Sequence, residues 1–131
     1  LSYTILIVDD NALIRQTLRT YLEAKTDWRV CGEAENGRIA VDKVQELNPD
    51  VVILDLQMPI MNGLDAARLI AQSAPKTVIV MLTMHESAQL RTEARSAGVE
   101  DVISKCGTFG NQLLAFLKNF ESKNFSTGVT V

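Results

Sequence analysis

The chain has 131 residues, 47% of them hydrophobic and 22% charged, with a formal net charge of −3. That size fits one domain able to bury roughly 65–70% of its unfolded surface, and the balance of apolar and charged residues excludes wholesale disorder. A net-negative domain is by itself a poor nucleic-acid binder, no apolar run approaches the ~18 residues of a membrane span, and no basic region precedes the first apolar run as it would in a secretory signal.

Tyr3 to Val8 is a nearly continuous apolar, β-branched run that stops at Asp9-Asp10, as expected of a strand covered on both faces. Asn11 to Lys25 follows as a helix with Ile14, Leu18, Tyr21 and Leu22 on one face. Trp28 to Ala34 is a weaker strand, and Glu35-Asn36-Gly37 signals a turn. Arg38 to Leu47 repeats the helical spacing at Ala40, Val44 and Leu47 until Asn48-Pro49. Asp50 to Asp55 is the clearest strand, and Pro59 to Gly63 is a loop. Leu64, Ala67, Ile70 and Ala71 mark a third helix, closed by Pro75. Thr77 to Thr83 is a fourth strand, and Glu86 to Ala97 a helix with a thin apolar face, stopped by Gly98. Asp101 to Lys105 is a short fifth strand, and Leu113, Leu117 and Phe120 mark a last helix. Residues 122–131 lack helical periodicity and read as a frayed tail or the start of a linker, leaving 1–121 as one domain. Five strand–helix units in a row predict an α/β fold, a doubly wound five-stranded parallel sheet with helices on both faces.

In such sheets ligands bind outside the carboxyl ends of the strands. Asp9 and Asp10 end the first strand, Asp55 the third, Thr83 the fourth and Lys105 the fifth. Any one of these is unremarkable as a solvated strand end; five polar groups on one edge are not. Three neighbouring carboxylates repel one another unless a cation joins them, and hard oxygen ligands suit Mg²⁺. A lysine neutralises anionic oxygens and a threonine hydroxyl can hydrogen-bond one. Together they describe a site for phosphoryl transfer to a carboxylate. No phosphate-cradling glycine loop and no G-x-S-x-G elbow is present. His85, the only histidine, has no acidic or nucleophilic partner at a recognisable spacing and reads as a surface loop residue. Cys31 and Cys106 lie far apart without C-x-x-C spacing, which argues against zinc and disulfides and favours a reducing, cytoplasmic compartment.

Four stretches in combination make the chain resemble a response regulator receiver domain of two-component signalling: Ile5 to Asp10, Val51 to Gly63, Val80 to Thr83 and Val102 to Lys105. The resemblance covers about residues 3–120 and implies the flavodoxin-like (βα)5 fold with strand order 2-1-3-4-5. It makes Asp55 the phosphoacceptor for a sensor histidine kinase. It assigns Mg²⁺ to Asp9, Asp10, Asp55 and the backbone carbonyl of Gln57. Thr83 becomes the switch hydroxyl, Lys105 the phosphate-binding lysine, and Pro59 and Gly63 the residues shaping the loop. Such a domain is no enzyme beyond catalysing its own phosphorylation and dephosphorylation. Asp55 to Leu64 and Leu82 to Glu86 most resemble the NarL/FixJ (LuxR-type) class, which implies transcription control through a helix-turn-helix DNA-binding domain following a linker; a homodimer is left open.

Two positions depart from the family pattern. The aromatic switch position three residues before the lysine is Val102, and the proline after the lysine is Cys106. A non-proline cis bond costs ~2.5–4 kcal/mol, so the Lys105–Cys106 bond is expected to be trans or its loop locally altered. These departures give some support to a receiver-like interaction module that is not phosphorylated, against which the complete set of Asp9, Asp10, Asp55, Thr83 and Lys105 weighs. An aspartyl phosphatase would want an acid two residues after the nucleophile, where Gln57 stands.

Overall fold

The computed structural model describes residues 2–107 and 109–129, the last five of these as backbone alone. Five strands alternate with five helices: β1 Thr4–Val8, α1 Ala12–Lys25, β2 Arg29–Ala34, α2 Gly37–Leu47, β3 Val51–Asp55, α3 Gly63–Ser73, β4 Val78–Thr83, α4 Ala88–Ser96, β5 Asp101–Ser104 and α5 Phe109–Val129. The strands pair in parallel in the order β2-β1-β3-β4-β5, the predicted flavodoxin-like arrangement.

Strand alternation divides the core in two. Leu6, Val8, Val52, Leu54, Ile79, Met81 and Val102 face a layer that contains Ala40 and Val44 of α2, Ala67 and Ile70 of α3, and Leu90 and Ala94 of α4. Ile5, Ile7, Val51, Ile53, Val80, Leu82 and Ile103 face the other, with Leu18 and Leu22 of α1 and Leu113 and Leu117 of α5. Period-2 side chains on a sheet covered on both sides require this, which is why the strands read as unbroken apolar runs.

Short polar caps begin the helices at the carboxyl edge of the sheet. The side chains of Asn11, Asn36, Asn62 and Ser87 accept backbone N–H bonds from the first turns of α1, α2, α3 and α4. Ser87 is why α4 starts at Ala88 rather than at Glu86, and Asn36 why α2 starts at Gly37. The larger correction is at the carboxyl end. The sequence reading treats 122–131 as a non-helical tail, yet the backbone stays helical through Val129; residues 130 and 131 lie outside the described residues. Tyr3, Trp28 and Phe120 cluster at the amino edge of the sheet, Phe120 edge-on to the other two rings, and the indole N–H of Trp28 donates to Glu121 at 2.5 Å, holding α5 where the apolar pattern fades. No peptide bond among the described residues is cis, so Lys105–Cys106 is trans. No helix among them is long and apolar enough to cross a membrane.

Candidate functional site

The chain leaves β1 outward to β2 and returns across it to β3, so the carboxyl ends of β1 and β3 flank the point where strand order reverses. Asp9, directly after β1, is buried and held on every side. Its N–H donates to the Ala34 carbonyl at 3.1 Å, and its own carbonyl accepts from Arg15 Nη1 at 2.6 Å. Its Oδ1 accepts from the Asn11 N–H at 2.9 Å and its Oδ2 from Lys105 Nζ at 3.0 Å. Asp55, the last residue of β3, is also buried, and its Oδ1 accepts from the same Lys105 Nζ at 3.0 Å. Asp10 is exposed beside them. One carboxylate oxygen from each of Asp9, Asp10 and Asp55 lies within 4.8 Å of the others.

Charge and burial compete here. Burial raises the Asp55 carboxyl above its ordinary range; the hydrogen bond from Lys105 opposes this, while the charges of Asp9 and Asp10 add to it. Burial likewise disfavours the Lys105 ammonium, but hydrogen bonds to Asp9 and Asp55, and their charges, outweigh it and hold that pKa above the usual lysine value. Three neighbouring carboxyl groups thus have one ammonium among them, bonded to Asp9 and Asp55. The surplus negative charge, the hard oxygen donors and the open side at Asp10 fit a divalent cation that keeps part of its water.

Thr83 ends β4 and is buried. Its hydroxyl accepts from the His85 N–H at 3.1 Å and its carbonyl from the Lys105 N–H at 2.8 Å, so it ties the loops after β4 and β5 together. Gln57 and Pro59 lie exposed in the loop after β3. Gly63 returns that loop to the strand: its N–H donates to the Leu56 carbonyl at 2.8 Å, and a Cβ there would overlap the Asp55 carbonyl oxygen and approach Leu56 Cα to 2.9 Å. Between them Met61 N–H bonds to the Pro59 carbonyl at 2.7 Å around Ile60, whose φ is 70°, a three-residue γ-turn rare for a β-branched residue. His85 is exposed, as expected. Val102 is buried in the core layer that contains Leu90, Ala94 and Ala97, away from solvent.

Sequence reasoning missed Arg15 and Glu33. Arg15 Nε pairs with Glu33 Oε1 at 2.9 Å while its Nη1 reaches the Asp9 carbonyl. The available signal was spacing: Arg15 stands four residues after the cap Asn11, on the helix face that looks back toward the strand ends.

The family profile described as "Response regulator receiver domain" matches residues 5–117. Among curated relatives, the chemotaxis protein CheY of Thermotoga maritima is 42% identical over 101 residues, covering 77% of this chain and 83% of that one. The protein-glutamate methylesterase/protein-glutamine glutaminase of the same organism is 39% identical over 102 residues, and the match takes in 77% of this chain but only 30% of the relative. The crystal structure of a LuxR-family two-component response regulator from Aurantimonas superposes with a TM-score of 0.86 at 26% identity, over 93% of this chain and 87% of that one. With the acidic edge of the parallel sheet, these matches mean that the chain belongs to the response regulator receiver domain family of two-component signalling.

Proposed function

We propose that this receiver takes a phosphoryl group on Asp55 from the phosphohistidine of a sensor histidine kinase and passes the signal to a DNA-binding output domain. The observation that carries the reading is the pair of 3.0 Å bonds from one Lys105 Nζ to Asp9 and to Asp55, beside three mutually close carboxylates. In the transfer a carboxylate oxygen of Asp55 forms the new O–P bond as the histidine N–P bond breaks. Lys105 opposes the pull of burial on the Asp55 carboxyl and turns toward the anionic oxygens of the bound group. Asp9, Asp10, Asp55 and the Gln57 carbonyl would hold Mg²⁺, which supplies charge neutralisation at the phosphoryl oxygens. The Thr83 hydroxyl donates to the phosphoryl group, giving up its place against the His85 N–H. Pro59 and Gly63 set the loop that carries Gln57. The domain catalyses only the gain and loss of its own phosphoryl group, in the cytoplasm.

Two features support transcriptional output: the resemblance of residues 55–64 and 82–86 to the LuxR-type class, and the likeness to a LuxR-family regulator. Residues 122–131 are read as the approach to the linker. Incubation with acetyl phosphate and Mg²⁺ should add one phosphoryl group by intact mass, and Asp55→Asn should abolish it. Normal phosphorylation of Asp55→Asn would overturn the assignment, and coding sequence after Val131 without a helix-turn-helix would overturn the output half.

A further inference from the structure

We infer that Arg15 is a positioning residue of the acidic site, acting on Asp10 through the backbone. This rests on the proposed Mg²⁺ role of Asp9 and Asp10. The Asp10 side chain is exposed and has no hydrogen-bond partner among the described residues. Only its backbone can place it. The peptide joining Asp9 to Asp10 is fixed at its carbonyl, and the group that fixes it is Arg15 Nη1 at 2.6 Å. A peptide is a rigid plane, so holding its oxygen also sets the direction in which Asp10 leaves β1.

The arginine is itself aimed. Its Nε pairs with Glu33 Oε1 at 2.9 Å, and Arg19 Nε takes Glu33 Oε2 at 2.9 Å. Glu33 thus receives two planar guanidiniums from successive turns of α1, and only the inner one continues to Asp9. Burial works against the Glu33 charge, but the hydrogen bonds from Arg19 and Arg15 outweigh it and hold its carboxyl below the ordinary range. The Arg15 side chain is 15% exposed and the Arg19 side chain 36%. A lysine could not span both acceptors, because it has one donor head where arginine has a fork. The chain β2 Glu33, α1 Arg15, Asp9 carbonyl, Asp10 carboxylate therefore links the edge strand to the open side of the pocket. Mere fastening of α1 to β2 needs Glu33 and either arginine; the contact with Asp9 is specific to Arg15.

Mg²⁺ titrations followed by ¹H–¹⁵N NMR on wild type, Arg15→Gln and Arg19→Gln separate the two roles. Loss of a group that orients a metal ligand typically weakens affinity 10–100-fold, so Arg15→Gln should bind Mg²⁺ at least about 10-fold more weakly, with the Asp10 amide resonance displaced before metal is added. Arg19→Gln should stay within about twofold of wild type, while urea unfolding records whatever each change costs the fold. Equal Mg²⁺ affinity of Arg15→Gln and wild type overturns the inference, as does an equal loss in Arg19→Gln. If Arg15→Gln does not fold, Glu33→Gln decides: weakened Mg²⁺ binding supports the chain of contacts and unchanged binding overturns it. Absence of Mg²⁺ binding by wild type overturns both this inference and the metal role on which it rests.

Discussion

Removing the ammonium of Lys105 is the sharpest test of how the acidic pocket is balanced. Its Nζ lies 3.0 Å from oxygens of both Asp9 and Asp55, and the three side chains are 13%, 3% and 10% exposed. At an effective dielectric constant of ~20, each of these pairs is worth about 5.5 kcal/mol of gross attraction. Desolvation returns most of that, and breaking a buried pair by deleting one partner costs ~3–5 kcal/mol where an exposed pair costs ~0.2–1. The site is open at Asp10, so Lys105→Met should lose ~2–4 kcal/mol at neutral pH without metal. The loss should depend on pH with a definite sign. Burial already raises the Asp55 carboxyl, and losing the lysine removes what lowers it. A carboxyl whose folded pKa stands above its unfolded value favours the fold when protonated, and that contribution disappears as the pH rises through the folded value. The gap between wild type and Lys105→Met should therefore be smallest in acid, where Asp55 is protonated in both, and widen as the pH rises toward neutrality. Mg²⁺ should narrow it at neutral pH, since the carboxylates left without the ammonium should hold the cation more tightly than wild type does, and a tenfold lower Kd is worth about 1.4 kcal/mol at saturating metal. Urea unfolding by circular dichroism at several pH values, with and without Mg²⁺, measures all of this. A variant as stable as wild type at neutral pH without metal, or a gap that widens on acidification, would refute the reasoning.

Asp10→Ala should leave the fold intact, because that side chain is exposed, and remove most Mg²⁺-dependent phosphorylation; a rate unchanged by EDTA would remove the metal from the scheme. Gly63→Ala forces a methyl against the Asp55 carbonyl and should cost at least ~1–3 kcal/mol by thermal unfolding, with slowed phosphorylation. Beryllofluoride, a phosphoryl mimic, should change hydrogen exchange most in residues 83–97, where α4 buries only Leu90 and Ala94, and much less around the packed Val102. Changes confined to Val102 and Ile103 would contradict that route.

Much of this site is readable from sequence because a covered strand ends abruptly. Val8 gives way to Asp9 and Leu54 to Asp55, so polarity marks the edge where parallel strands open to ligand. Thr83 and Lys105 announce themselves in the same way, although the β5 ladder stops at Ser104. Arg15 and Glu33 carry no such mark. A charged residue on a helix or an edge strand reads as a solvated surface, and only the packing of α1 on the sheet brings the two together. The continuation of α5 past Phe120 is hidden for a related reason: residues 121–129 lack the apolar spacing that reveals a helix, so periodicity is silent while the backbone continues. Ile60 hides differently, since a β-branched residue is the last choice for a positive φ.

Trp28 is the sole tryptophan, and it stands beside Tyr3, Phe120 and Glu121 at the opposite edge from Asp55. The five residues of β1 separate the two edges by about 16 Å. Its fluorescence cannot register quenching by an ion or phosphoryl group at the pocket through contact. What its emission can register is the seating of α5, through the edge-on Phe120 ring and the bond to Glu121. The chain thus carries an intrinsic optical gauge at the far side of the sheet, one that stays dark to contact at the pocket and responds when α5 shifts against the sheet.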